Sequence, residues 1–314
     1  MGHHRFGRVV RWSAAFATGV ALVAGSSAPA PAAYPGANGR IVFDTVWKFW
    51  NGTHDSSQIY SVRPDGSGLR RLTDEPGGVA AWHPAVSPDA RRIAFVLTSP
   101  ESNDQVWVMR ADGSHQRLLA DEPAWADTGP SFTADGRRVL YSRCGSYVAV
   151  YFTCKVVSVR LDGSGRRTVI GGLWHPTDPV MSPDGSTIAF VSDAGGYDGR
   201  VWLADADGRH QRPLGPKIAP ERLSWSPDGT DLVFTGFRDG NLYTVGVDGS
   251  GLRTVAPSTL FGAWSPDGSR IVSKRVDPRT DNGPLQTTDT GGDDPRRIVG
   301  PAFGAGYSDW GTKR

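Results

Sequence analysis

An all-β ring of six four-stranded blades is the architecture this sequence predicts, and three observations carry the prediction. A Ser-Pro-Asp-Gly-like signature recurs at blade-length intervals, a second Asp-Gly turn recurs once per interval, and turn residues are spread along the whole chain. Gly (40) and Pro (23) make up a fifth of the 314 residues, a density that calls for many short strands. No segment after Tyr34 shows a convincing helical period.

The first signature is an apolar residue followed by a turn. It occurs as Val86-Ser87-Pro88-Asp89-Ala90, Phe132-Thr133-Ala134-Asp135-Gly136, Met181-Ser182-Pro183-Asp184-Gly185, Trp225-Ser226-Pro227-Asp228-Gly229 and Trp264-Ser265-Pro266-Asp267-Gly268, with successive Asp residues 46, 49, 44 and 39 apart. That period suits one propeller blade. An alternating apolar strand follows each copy: Ile93/Phe95, Val139/Tyr141, Ile188/Phe190, Leu232/Phe234, and Ile271 alone in the weakest. Four copies continue into another strand, at 105–109, 155–159, 201–204 and 241–245.

Next come the Asp-Gly hairpin turns Asp65-Gly66, Asp112-Gly113, Asp162-Gly163, Asp207-Gly208 and Asp248-Gly249, with a degraded sixth at Asp289-Thr290-Gly291. Six turns of this kind face five complete copies of the first. A blade split between the chain's two ends resolves the mismatch. Residues 39–44 and 58–62 match the second and third strands of a blade, and Tyr307-Ser308-Asp309-Trp310-Gly311 supplies its innermost strand, with Trp310 in the register of Trp225 and Trp264. Closure of this kind removes exposed sheet edges inside the ring.

Together these residues resemble the WD40-like (PD40) repeats of TolB-family propellers, over essentially all of residues 39–311. The resemblance implies the fold; propellers host many unrelated activities, so it implies little about the job. Two departures limit what carries over. TolB has an α/β domain ahead of its propeller, whereas here Tyr34–Asn38 alone separate the leader from the first strand. Prolyl-oligopeptidase-type enzymes join a related propeller to an α/β-hydrolase domain, and no Gly-X-Ser-X-Gly nucleophile turn occurs in this sequence.

Residues 1–33 read as a secretory signal peptide and 34–314 as a single domain. His3, His4, Arg5, Arg8 and Arg11 make a basic start, Ala14–Ala24 is too short an apolar run to span a bilayer, and 28–33 offers small-residue cleavage sites. A secreted, periplasmic or envelope location follows, with no stable membrane insertion after cleavage. Removing three arginines turns the formal +2 into −1, from 31 basic and 32 acidic residues. Nothing in this near-neutral balance supports a nucleic-acid partner, for which a clustered basic surface is the expected footprint. The length is enough to bury a core that keeps a monomer stable.

Strand parity puts both kinds of Asp turn on one face of the disc and the blade connectors on the other. Residues just before the innermost strands, in register His83, Gly129, Asp178, Arg222, Phe261 and Tyr307, are placed to rim the channel. Among these and their neighbours, His83, Asp127, Asp178, Glu221 and Arg222 are the candidate ligand-binding residues. They either converge for binding or acid–base work, or stand as solvated loop ends with local hydrogen bonds. No metal site or cofactor is expected: the repeat Asp residues suit turn chemistry, and one Asp per turn falls short of a calcium shell.

Aromatics in irregular segments form a second candidate set: Trp47, Phe49 and Trp50 in the first blade, Tyr147 and Tyr151 in the third. They serve either as contacts for a glycan or protein partner or as cover for the flanking strands. Cys144 and Cys154 flank the third-blade loop, where an exported protein is expected to form a disulfide. The function expected from all this is a non-catalytic propeller binding a protein or glycan through its connector face. The alternative is a metal-assisted hydrolase or lyase working in the channel.

Overall fold

The computed structural model describes residues 34–45, 49–50, 53–54, 57–120, 125–145, 153–172, 175–193, 199–277, 279–280 and 282–314. Six antiparallel four-stranded sheets form a closed ring. Blade 1 is Ala305–Thr312, Asn38–Thr45, Ile59–Val62 and Arg70–Arg71, from the axis outward. Blades 2 to 6 are contiguous, with innermost strands Ala80–Val86, Trp125–Phe132, Thr177–Met181, Pro220–Trp225 and Thr259–Trp264. The expected split blade is present: Trp310 pairs with Ile41 and Asp309 with Val42. No described helix is long and apolar enough to cross a membrane.

Each interface between neighbouring blades is sealed by its own apolar cluster. Val106, Val108 and Leu119 of blade 2 pack on Phe132, Val139 and Tyr141 of blade 3, and the other five interfaces repeat the scheme. Alternation along each second strand therefore points its side chains into two interfaces, one on either side. Fully burying such side chains contributes roughly 1.5–3 kcal/mol each. The sheets themselves are stapled by stacked aromatic pairs between second and third strands, Phe43–Tyr60, Phe190–Trp202 and Phe234–Tyr243.

The Ser-Pro-Asp-Gly turns show why Asp is there. Ser226 Oγ donates to Asp228 Oδ1 (2.6 Å), which also accepts from Thr230 N, while Asp231 N donates to Ser226 Oγ. The other complete copies repeat this, through Asp89, Asp135, Asp184 and Asp267. In blade 6 the third strand is Leu285–Asp289, and Gly292 rather than Gly291 takes the left-handed conformation of the turn (φ 94°). Cys144 and Cys154, opposite one another on adjacent strands, are joined by a disulfide.

Candidate functional site

A register slip interrupts the innermost strand of each blade near the connector face. At the slip, His83, Gly129, Asp178, Arg222 and Phe261 all adopt left-handed backbone, with φ between 48° and 60°. Only one of the five is Gly, so the conformation costs about 1–2 kcal/mol at each of the others. Bulges of this kind re-aim side chains. The slip also frees a backbone amide, and in blades 2, 4, 5 and 6 a polar side chain from the preceding blade takes it up, Asp178 Oδ2 accepting from Arg222 N (3.4 Å) in blade 5. His83 N donates to Asp44 Oδ2 (2.8 Å), Asp178 N to Ser142 Oγ (3.0 Å) and Phe261 N to Thr235 Oγ1 (2.8 Å).

The re-aimed side chains meet across the axis. The Tyr307 ring of blade 1 lies 3.9 Å from the His83 ring, 4.2 Å from the Phe261 ring and 4.3 Å from the Arg222 guanidinium. These partners belong to blades 2, 6 and 5, so Tyr307 spans the channel mouth. Trp82 extends the aromatic arc, with its ring 4.0 Å from His83. On the opposite side Asp178 stands 4.0 Å from Arg222, and Glu221 is half-buried beside them. The mouth is thus divided into an aromatic half and a charged half.

Burial governs its electrostatics. Desolvation, then the nearby Asp178 charge, pushes the Glu221 carboxyl up to about 7. Asp44, fully enclosed while accepting from His83 N and Tyr307 N, is raised to about 7 by burial. Burial, helped by the Arg222 charge, drives the His83 imidazole well below its ordinary range, so it stays neutral. Neither ring nitrogen of His83 has a hydrogen-bond partner among the described residues.

Behind this layer lies a cavity of about 100 Å³ along the axis, walled by Ser131, Ser224, Ser308 and Asp309 among others. Its far end is stoppered by Tyr34, buried with its hydroxyl donating to Thr133 O (3.3 Å). Gly36 N to Pro266 O and Asn38 Nδ2 to Asp267 Oδ2 tie the same segment across the turn face. Asp309 accepts from Val86 N and Trp310 N, and its carboxyl is raised by burial.

Four of the five candidate rim residues, His83, Asp178, Glu221 and Arg222, come together at the mouth. Asp127 does not join them. It is buried in a two-pronged ion pair with Arg143, both contacts 2.7 Å, and does not line the cavity. Tyr307 and Phe261, noted in the sequence only for their register, turn out to close the mouth. Asp44 went unnoticed; its signal was an acid directly after the apolar run Ile41-Val42-Phe43. Trp47, Tyr147 and Tyr151 lie outside the described residues, as does the leader 1–33. Phe49–Trp50 pairs with Thr53–His54 as a two-residue antiparallel ladder. No group of three or more His, Cys, Asp or Glu is placed to hold a metal ion among the described residues.

Among solved structures, TolB from Acinetobacter baumannii matches with a TM-score of 0.70 at 18% identity, over 88% of this chain and 67% of that one. In fold, the chain is a TolB-like six-bladed propeller. A chain of a nidogen/laminin complex matches at 0.68 with 10% identity, over 87% and 98%. An oligogalacturonate lyase in complex with manganese matches at 0.55 with 17% identity, over 85% and 83%. No protein-family model matches. Among curated proteins, the uncharacterized peptidase YuxL of Bacillus subtilis is 28% identical over 110 residues, 34% of this chain. The uncharacterized protein Atu1656 of Agrobacterium fabrum is 30% identical over 119 residues, again 34% of this chain. The matches span 17% and 38% of those relatives' own lengths.

Proposed function

We propose that the chain is an exported, non-catalytic propeller that captures a protein or glycan at the mouth of its connector face. The observation that carries this reading is the stoppered channel. A cavity of about 100 Å³ is well below the roughly 300–1,000 Å³ of ordinary small-molecule pockets. The chemistry on offer to a large ligand therefore lies at the mouth, where an aromatic arc adjoins the Glu221, Arg222 and Asp178 charges. Aromatic and Arg side chains are the groups that dominate binding energy at interfaces. The propeller of the nidogen/laminin complex is a like fold in a protein assembly. The likeness to TolB and the basic-then-apolar leader both favour the cell envelope or periplasm as its location.

A second reading, metal-assisted lyase or hydrolase chemistry, draws on the manganese-bound oligogalacturonate lyase and on the adjacent Glu221 and Asp178 carboxyls. One pair of experiments separates the two. Capture of a partner from the native envelope fraction by the mature chain should fall at least about tenfold for Arg222→Ala, with the melting transition retained. Capture unchanged by Arg222→Ala, and also by Trp47→Ala with Trp50→Ala, would sink the binding reading. Stoichiometric metal in the purified protein, lost on His83→Ala, would transfer the case to the enzyme.

A further inference from the structure

Charge on the turn face is divided unequally around the ring. In blades 1 to 3 the turn segments 63–71, 87–92, 110–117, 133–138 and 160–167 hold 12 Arg against five Asp. The matching segments of blades 4 to 6, at 182–187, 205–212, 226–231, 246–253, 265–270 and 289–297, hold six Arg against ten Asp. Each of the five Asp residues in the basic half accepts from the amides of its own turn. Many of the arginines face outward instead. Arg91, Arg110, Arg137 and Arg160 are exposed, and their side chains make no hydrogen bond or ion pair within the described residues.

We propose that this basic half of the turn face docks on an anionic lipid bilayer. The arginines lie on turns of three neighbouring blades, one turn in blade 1 and both kinds in blades 2 and 3, a two-dimensional field rather than a track. A groove does run between blades 2 and 3, but Arg92, Arg137 and Arg160 line it together with Asp89, Asp135 and Asp162. Its own charge cancels, so it offers no channel for a single polyanionic chain. The five basic segments contain no Phe, Trp or Tyr, and so lack the stacking platform that single-stranded nucleic acid uses. Leu69 is the one exposed large apolar side chain in these segments, so the attraction is chiefly electrostatic, additive over the arginines near the headgroups, and screened by salt. Docking by this face leaves the connector face pointing away from the surface.

Sedimentation of the full mature chain with vesicles tests this. Binding is expected to vesicles of phosphatidylcholine with a quarter phosphatidylglycerol, not to pure phosphatidylcholine, and to vanish in high salt. Arg91→Ser, Arg110→Ser, Arg137→Ser and Arg160→Ser together should weaken partitioning by at least about tenfold. A control removes the same charge from the acidic half, through Arg209→Ser, Arg212→Ser, Arg253→Ser and Arg297→Ser, and should leave partitioning within about twofold. Equal losses in the two variants would show that net charge alone acts, and the proposal falls. It also falls if the chain ignores the vesicles while binding heparin or single-stranded DNA. Partner capture by the connector face is scored separately with Arg222→Ala, so either reading can fail without the other.

Discussion

The two faces of the disc perturb their carboxylates in opposite directions. On the turn face, hydrogen bonds from Ser hydroxyls and turn amides hold Asp184 and Asp228 below the ordinary range. On the connector side, burial raises Asp44 and Glu221 to about 7. The turn Asp residues are held in nearly the same way from blade to blade, because each solves the same local problem of satisfying a tight turn. At the mouth the backbone repeats but the side chains do not: His, Gly, Asp, Arg and Phe occupy one left-handed position. Repetition marks architecture here, and variation on a repeated backbone marks the place where recognition can be encoded.

Four measurements can break or sharpen that contrast. Deleting residues 307–314 should have the largest effect, since it removes the innermost strand of blade 1 and the buried Trp310. Loss of one such side chain alone costs about 3–5 kcal/mol, and here a sheet edge opens as well. The truncated chain should lose its cooperative melting transition by circular dichroism; a melt like that of the full chain would break the closure model.

The second effect is on pH dependence. A carboxyl that holds its proton to about 7 in the fold, but only to its ordinary value when unfolded, makes the native state the stronger proton binder between those limits. Stability should therefore fall as pH rises from about 4.5 to 7, by at most about 3 kcal/mol for Glu221. Urea titrations of Glu221→Gln should show a shallower decline, with Asp44 supplying the remainder. A slope identical to that of the wild type would mean that Glu221 ionises freely.

On the turn face the sign reverses. Asp228, held low by Ser226 and Thr230, stabilises above the ordinary carboxylate range and loses that contribution as pH falls through its lowered value. Asp228→Ala should cost about 1 kcal/mol at neutral pH, read from the urea midpoint, and should leave partner capture at the mouth unchanged. Smallest of all, Ala90→Gly should stabilise by about 0.5 kcal/mol. Ala90 holds φ 51° where the other four complete copies place Gly, and an unmoved midpoint would show that the turn carries no strain there.

The legible part of the molecule was the local part. Strand positions, the six Asp-Gly turns and the Cys144–Cys154 pair follow from patterns a few residues long, which the structure reproduces nearly one for one. Blade 6 was hardest to read, since its second turn is displaced to Gly292 and its third strand, Leu285–Asp289, is rich in polar residues. Asp127 looked like a rim residue because Arg143, its partner across the hairpin, is sixteen positions away.

By itself the sequence determined the number of blades, their order and the division of one blade between the chain's ends, because each rests on short-range alternation and turn chemistry. Only the tertiary structure decided the site. Asp44, His83, Arg222 and Tyr307 come from three blades and, for blade 1, from opposite ends of the chain, and it is ring closure that sets Tyr307 against His83, Phe261 and Arg222. Side chains that meet across an axis have no shared period in the chain, so their meeting is a consequence of the closed circle and of the left-handed bulges that turn them inward.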